Sequence, residues 1–357
     1  MKFLDHLYEK EFKLNRFYQR KATITHPKTI LYGPSNSGKT TILLDYISNR
    51  KKGTYLYIDF NDLRIKEAIF IGLPSFIKNK NIKLLIFDNF DFSFTIPPCD
   101  EVIVSTNKNI TLDGFQRVDI YPLDFEEFIA FEKREFNIKS IFNTYATTGT
   151  YPIMSTIPKD SFIKEFQKLI ISQMDSKLEL EIFKAFALSQ GERISPYAIF
   201  NELKIFHKIS KDKFYETVKK FTQQKLIFFL QKYKKAKAEK KIYLIDFAIK
   251  SVLTYEKDFI KRFENIIFLE LYKQNEEIYY TDMIDFYLPK KELAIIAMIF
   301  VPKNMIVAKV ERIKNELKNH KVSKVEIITL EDQNEEEFMV DNIRCEIVTF
   351  WNWALRR

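Results

Sequence analysis

The stretch GPSNSGKT, from Gly33 to Thr40, leaves the chain around it few ways to fold. Glycine is scarce, with seven in 357 residues, yet Gly33 and Gly38 stand at the spacing G-x-x-x-x-G-K-T. An apolar run, Thr29 to Tyr32, precedes the stretch and reads as a buried strand. An amphipathic run follows and reads as a helix. Between them the chain must wrap so that successive backbone N–H groups face one anion, and only residues without a Cβ tolerate the tight positions. The positive end of the following helix falls at the same point. Lys39 adds a mobile charge for the outer phosphates, and the Thr40 hydroxyl can ligate Mg²⁺. Gly33, Pro34, Ser35, Asn36, Ser37, Gly38, Lys39, Thr40 and Thr41 are therefore the expected phosphate loop.

Such a loop needs a second strand that brings a carboxylate to the metal. NIKLLIFDNFDF offers one, with Leu84 to Phe87 as the strand and Asp88 at its end. The carboxyl ends of parallel strands are where an open α/β sheet builds its site. A third strand, EVIVSTNK, ends in Ser105, Thr106 and Asn107. Asn107 is suited to touching a terminal phosphate or orienting water, and equally to an ordinary turn.

Composition excludes several other classes. Cys99 and Cys345 are far apart and give neither metal-ligand spacing nor a disulfide framework, so a cytoplasmic protein is the expectation. The four histidines are isolated. The N-terminus is charged throughout, and the most apolar stretch, LAIIAMIFVP, is too short to span a bilayer, so no membrane association is expected. The formal charge of +9 permits a polyanionic partner. Lysine is abundant along the whole chain, which lowers the weight of that charge.

GPSNSGKT, LLIFDN and VIVSTN resemble the Walker A, Walker B and sensor-1 elements of AAA-type ATPases. Downstream, VDIYPLDFEEFIAFE, TTGTYP, KKIYLIDFAIKSVL and FENIIFLEL resemble the predicted prokaryotic AAA ATPases that carry a C-terminal domain of unknown function. The resemblance covers nearly the whole chain. It implies an α/β fold: a P-loop NTPase parallel sheet of AAA/ASCE type, a helical lid, a winged helix and a C-terminal PD-(D/E)xK-like domain. It also implies ATP and Mg²⁺ as cofactors, with Thr40 and Asp88 toward the metal and Asp88, Asn89 and Asn107 in catalysis. Two departures stand out. The family follows the Walker B Asp with a water-activating Glu, whereas Asn89 stands here, an amide that can orient water but cannot take its proton. Asp91 is either a substitute or a cap of its loop. In the C-terminal domain, Asp285 stands where the family has its Asp and Glu270 sits on the preceding helix, but Ile296 and Met298 occupy the acid-x-Lys strand. Metal-dependent nuclease chemistry is not expected.

The expected organisation is an ATPase core at 1–121, a helical lid at 122–175, a winged helix at 176–250 and a nuclease-like, catalytically degenerate domain at 251–357. Arg117, placed after the fifth strand, either touches phosphate or is a plain surface residue. Ser195 and Ser210 read as caps of two helices in the winged-helix segment. Lys211, Lys213, Thr217 and Lys219 lie on the third helix there, with Gln223 and Gln224 at its far end. Lys220 and Lys225 add charge nearby. Lys232, Lys234, Lys235, Lys237, Lys240 and Lys241 crowd the hairpin that follows. Nucleic acid contacted through Lys234, Lys235 and Lys237 is one expected partner, mostly without sequence preference; a solvated hairpin on a protein-docking module is the other. The function expected is that of a slow ATPase acting as a nucleotide-dependent switch, with an ATP-gated nucleic-acid-binding regulator or defence component as the alternative.

Overall fold

The computed structural model describes residues 2–12, 20–65, 68–132, 137–331 and 336–356. Two compact units emerge, one of residues 1–122 with 223–225 and the other of 123–222 with 226–357.

The first unit contains α1 (Lys2–Glu9), β1 (Lys28–Tyr32), α2 (Lys39–Ser48), β2 (Tyr55–Asp59), α3 (Ala68–Lys80), β3 (Leu84–Asp88), β4 (Glu101–Thr106) and β5 (Gln116–Asp119). The five strands form one parallel sheet in the order β2-β3-β4-β1-β5. The strands read as apolar runs because both faces are covered. Ile30, Tyr32, Leu56, Ile58, Leu85 and Phe87 pack on one side with Leu4 of α1 and Leu73 of α3. The alternate residues Leu31, Tyr55, Tyr57, Leu84 and Ile86 pack on the other with Ile42, Leu43 and Ile47 of α2. The period of two thus sends each strand's side chains into two separate cores. β1, β2 and β3 all end on the same edge, where Gly33, Asp59 and Asp88 come together.

The second unit begins with α4 (Phe125–Phe131), α5 (Ile138–Thr148), a 3₁₀ turn (Pro152–Thr156) and α6 (Phe162–Ile171). Asp124 caps α4 in a reciprocal box with Glu127, as the spacing in PLDFEEF implies. Residues 133–136, which follow α4, lie outside the described residues. Next come α7 (Lys177–Leu188), β6 (Arg193–Ile194), α8 (Pro196–Phe206), α9 (Lys211–Gln223), β7 (Ile227–Leu230) and β8 (Lys240–Leu244). These strands form an antiparallel sheet in the order β6-β8-β7. Ser195 and Ser210 accept the N–H groups of Ala198 and Lys213, capping α8 and α9.

The chain continues with α10 (Ile249–Leu253), α11 (Phe259–Lys273), β9 (Phe286–Leu288), β10 (Leu293–Ala297), α12 (Lys303–Asn319), β11 (Lys324–Thr329), β12 (Glu336–Val340), β13 (Ile343–Thr349) and α13 (Phe350–Leu355). A mixed sheet runs β12-β13-β11-β10-β9, parallel through its three central strands and antiparallel at both edges. β9 is the shortest strand of this sheet, three residues long. The edge strand β12 and helix α13 were not expected.

Two motifs separated by nearly a hundred residues meet at Asp246. Its buried carboxylate accepts the N–H of Thr150, the Thr150 hydroxyl at 2.9 Å, and the N–H of Tyr151 at 3.2 Å and of Ala248 at 2.8 Å. A Cβ at Gly149 would lie 2.2 Å from Asp246 Oδ1, and the backbone there has φ +80°. TTGTYP therefore needs its glycine so that the chain can close over the carboxylate. Among the described residues no helix is long and apolar enough to cross a membrane.

Candidate functional site

The loop after β1 is pinned at both ends. Gly33 N–H donates to Thr106 O at 3.1 Å, and a Cβ at Gly33 would lie 2.0 Å from Ile120 O, so only glycine fits between β4 and the exit of β5. Gly38, at φ 95°, turns the chain into α2. Among the described residues no side chain caps α2, so the helix presents uncapped N–H groups to the loop. Arg20, which the sequence reading passed over, is buried and donates to Ser37 O at 2.8 Å and Tyr121 O at 2.6 Å. It ties the loop to the segment after β5. Nothing in the local pattern around Arg20 announces this, because both acceptors are backbone carbonyls.

Lys39 is buried, and its Nζ donates to Gly33 O at 2.9 Å and Pro34 O at 2.7 Å. Neither acceptor is charged. Burial pushes the ammonium down to about 8, with Asp88 pulling the other way. Ser37 Oγ is buried in the same loop and has no hydrogen-bond partner among the described residues. The loop therefore holds an unneutralised cation, an unpartnered hydroxyl and a helix N-terminus together.

Asp88, fully buried at the end of β3, collects three hydroxyls. Thr40 donates to Oδ2 at 2.7 Å and Tyr57 to the same oxygen at 2.6 Å, and Ser105 donates to Oδ1. Burial, with Asp88 adding to it, pushes the Tyr57 phenol far up, so it stays a donor. Carboxylate and hydroxyl oxygens of this kind suit a hard dication such as Mg²⁺, which takes few protein ligands and fills its shell with phosphate and water. No group of three or more His, Cys, Asp or Glu able to hold a metal occurs among the described residues.

Asn89 has φ 56°; its N–H donates to Ser105 Oγ at 2.9 Å and its Nδ2 to Asp59 Oδ1 at 2.9 Å. Asp91 instead caps its loop by accepting Ser93 N–H at 3.0 Å, and its carboxyl is held low first by the Ser93 side chain and then, against burial, by that N–H. Asn107 is half-buried just past β4, with no side-chain hydrogen bond among the described residues. Arg117 lies within β5, not after it. It pairs with Asp119 at 2.9 Å and Asn109 at 2.6 Å and covers the Tyr32 ring, so its charge is already engaged. Lys225 is not a loose surface charge either: it bonds Asp119 at 2.9 Å and the Tyr121 hydroxyl at 2.6 Å.

In the second unit the expected acids separate. Glu270 accepts Phe125 N–H at 2.9 Å and the Tyr145 hydroxyl at 3.1 Å, and burial raises it to about 7. It braces α4 and is no companion of Asp285. Asp285 accepts Ala297 N–H at 3.1 Å and shares Lys241 with Glu264: Lys241 Nζ is 3.3 Å from Asp285 Oδ1 and 2.9 Å from Glu264 Oε2. Ile296 is buried in β10, and Met298 packs against the same core. Lys241 is thus a buried ion-paired residue and no part of an exposed hairpin tip.

Two more lysines of the basic hairpin and one of α9 are also engaged. Lys232 pairs with Asp282, Lys240 lies over the Phe229 ring at 5.7 Å, and Lys220 pairs with Asp175 at 2.6 Å and Glu179 at 2.7 Å. Lys234, Lys235 and Lys237 remain exposed. On α9, Thr217 is buried and not placed to read a base.

The chain matches no family model. It is 26% identical over 389 aligned positions to an uncharacterized protein of Methanocaldococcus jannaschii, covering 91% of this chain and 88% of that one. Among solved structures, a Walker-type ATPase of Pyrococcus abyssi aligns with a TM-score of 0.44 and 13% identity, over 64% of this chain and 91% of that one.

Proposed function

We propose that the first unit binds ATP with Mg²⁺ through residues 33–41, hydrolyses it slowly and acts as a nucleotide-dependent conformational switch. The observation that carries this reading is buried Lys39, which among the described residues bonds only neutral carbonyls, beside a Ser37 hydroxyl and a helix N-terminus that find no side-chain partner there. An anion is the ligand that would satisfy all three. Thr40 and Asp88 would hold the metal, which when bound offsets phosphate charge. Asn107 stands at the same sheet edge as a candidate contact to the terminal phosphate.

In this proposal the chain is an AAA-type ATPase in which 122–175 form a lid, 176–250 a winged helix and 251–357 a nuclease-like domain without nuclease activity. The parallel sheet order β2-β3-β4-β1-β5 supports the first assignment. Three helices followed by a hairpin support the winged helix. Lys241 between Asp285 and Glu264, with Ile296 in β10, supports the loss of nuclease chemistry. The second reading, ATP-gated binding of nucleic acid, is favoured by exposed Lys234, Lys235 and Lys237. A fluorescent ATP analogue titrated into wild type and Lys39→Ala tests the leading reading. Micromolar binding lost by at least about 100-fold in the variant is expected, on the scale of a buried charge deprived of its partner. Equal binding by both would refute it.

A further inference from the structure

Water attacking a phosphoryl group needs a proton acceptor, and an amide at position 89 cannot be one. Asp91 turns its carboxylate to Ser93 N–H instead. Asp88 already accepts three hydroxyls. A third carboxylate lies at the same edge. Asp59 ends β2 and sits in register beside Asp88 at the end of β3. The left-handed backbone at Asn89, φ 56°, carries its side chain toward β2, where Nδ2 donates to Asp59 Oδ1 at 2.9 Å. Asn61 N–H donates to that same oxygen at 3.0 Å. Among the described residues no hydrogen bond reaches Oδ2, and the side chain is only half-buried. One oxygen is therefore held by two donors while the other is left to accept. Tyr57, two residues earlier on β2, binds Asp88, so this strand supplies both a hydroxyl to Asp88 and a carboxylate next to it.

We infer that Asp59 is the general base of ATP hydrolysis and Asn89 the residue that positions it; this rests on the ATP reading of the loop. In the step, the Asp59 carboxylate takes a proton from water as the water oxygen bonds to the γ-phosphorus. The bond from that phosphorus to the β,γ-bridging oxygen breaks, its electron pair leaves on ADP, and the proton passes from Asp59 to the released phosphate. Acid and amide have traded strands: the acid stands on β2 and the amide follows Asp88.

The test is phosphate release by the full chain, measured beside affinity for a fluorescent ATP analogue. Asp59→Asn should keep affinity within about twofold and lower kcat about 100-fold, the usual range for a lost general base. Asn89→Ala should lower kcat less, with affinity again kept. The exchange variant, Asp59→Asn with Asn89→Glu, should recover kcat to within about tenfold of wild type, which a merely structural role for Asp59 does not predict. Full turnover by Asp59→Asn, or an unrescued exchange variant that folds and binds ATP, would overturn the assignment. So would a wild type that binds ATP and never hydrolyses it. If Asp59→Asn does not fold, Asp59→Glu carries the same test through a kcat change at constant affinity, and unchanged kcat counts against the base. A wild type that fails to bind ATP refutes the loop reading itself, and the binding arm tells the two failures apart.

Discussion

Lys39 and Lys241 are both buried lysines, 5% and 4% exposed. Their partners differ. Lys39 meets two carbonyls, whose dipoles only partly offset the loss of water, and its ammonium is pushed down to about 8. Lys241 meets Glu264 and Asp285; burial opposes its charge, but Asp285 and Glu264 outweigh that and the net shift is upward. A buried charge without a counterion is a site awaiting an anion, whereas a buried charge with two counterions is a finished piece of structure. In the first unit the loop after β1 leaves its cation without a carboxylate partner. In the other unit the protein places its own ammonium between two acids.

The largest effect should come from breaking the finished cluster. Lys241→Met leaves half-buried Glu264 and Asp285 without the cation they share, a loss of about 3 kcal/mol, the low end of the range for a broken buried pair. Burial and Asp285 already raise Glu264, so the folded state holds more protons than the unfolded one just above the normal carboxylate range, and stability falls as pH rises there. Without Lys241 that slope should steepen, so denaturant melts should show a smaller defect at pH 5 than at pH 7.5. Equal stability of variant and wild type at pH 7.5 would mean that Lys241 does not neutralise the acids. Lys39→Ala should do the reverse. It removes a desolvated ammonium, so the melting temperature should hold or rise, while ATP affinity falls by at least about 100-fold. A variant as unstable as Lys241→Met would erase the contrast.

What was legible in the sequence follows the same division. The loop and its strands could be read because strand, turn and helix are local patterns and G-x-x-x-x-G-K-T is contiguous. The pairing of Asp59 with Asn89 could not, since it joins strands thirty residues apart in a parallel sheet whose register no local pattern states. Lys241 looked like one more hairpin lysine because its partners lie on α11 and just before β9. Thr217 looked like a helix-face donor, yet its position on α9 turns inward with Phe214, Val218 and Phe221. β12 was missed because an edge strand reading EEFMV has no apolar alternation to mark it.

A smaller effect should appear in the pH dependence of nucleotide binding. In the free protein Lys39 titrates near 8, and a bound polyphosphate would hold it charged. Affinity should then be level below pH 8 and fall above it, approaching tenfold per pH unit. For stability the sign is opposite. The folded value lies below the unfolded 10.5, so the unfolded state binds more protons between the two, and the free protein gains stability as pH rises across that window. Titrations of the ATP analogue from pH 6.5 to 9.5 check the first. Affinity unchanged to pH 9.5 would show that Lys39 is not desolvated in the free loop.

The smallest effect on the fold should come from a third kind of lysine, which neither lacks a counterion in the interior nor has found one. Lys234, Lys235 and Lys237 are exposed between β7 and β8, unlike Lys232 and Lys241 on the same hairpin, which are ion-paired. Water already compensates their charge, so replacing all three with Gln should shift stability by no more than about 0.5 kcal/mol. Their charge is available to a polyanion. If they meet a nucleic acid backbone, each neutralised phosphate releases condensed counterions, and duplex affinity should fall with salt at a log–log slope of about −0.9 per phosphate. The triple variant should flatten that slope by up to about 2.7, three such contacts, and weaken all sequences alike, because lysine meets phosphate as a point charge. Binding that persists unchanged in the variant, or is absent at low salt, would leave the hairpin a solvated turn and turn the search toward a protein partner. A large loss of stability instead would show that these lysines, like Lys241, carry structure, and exposure would no longer separate the two kinds.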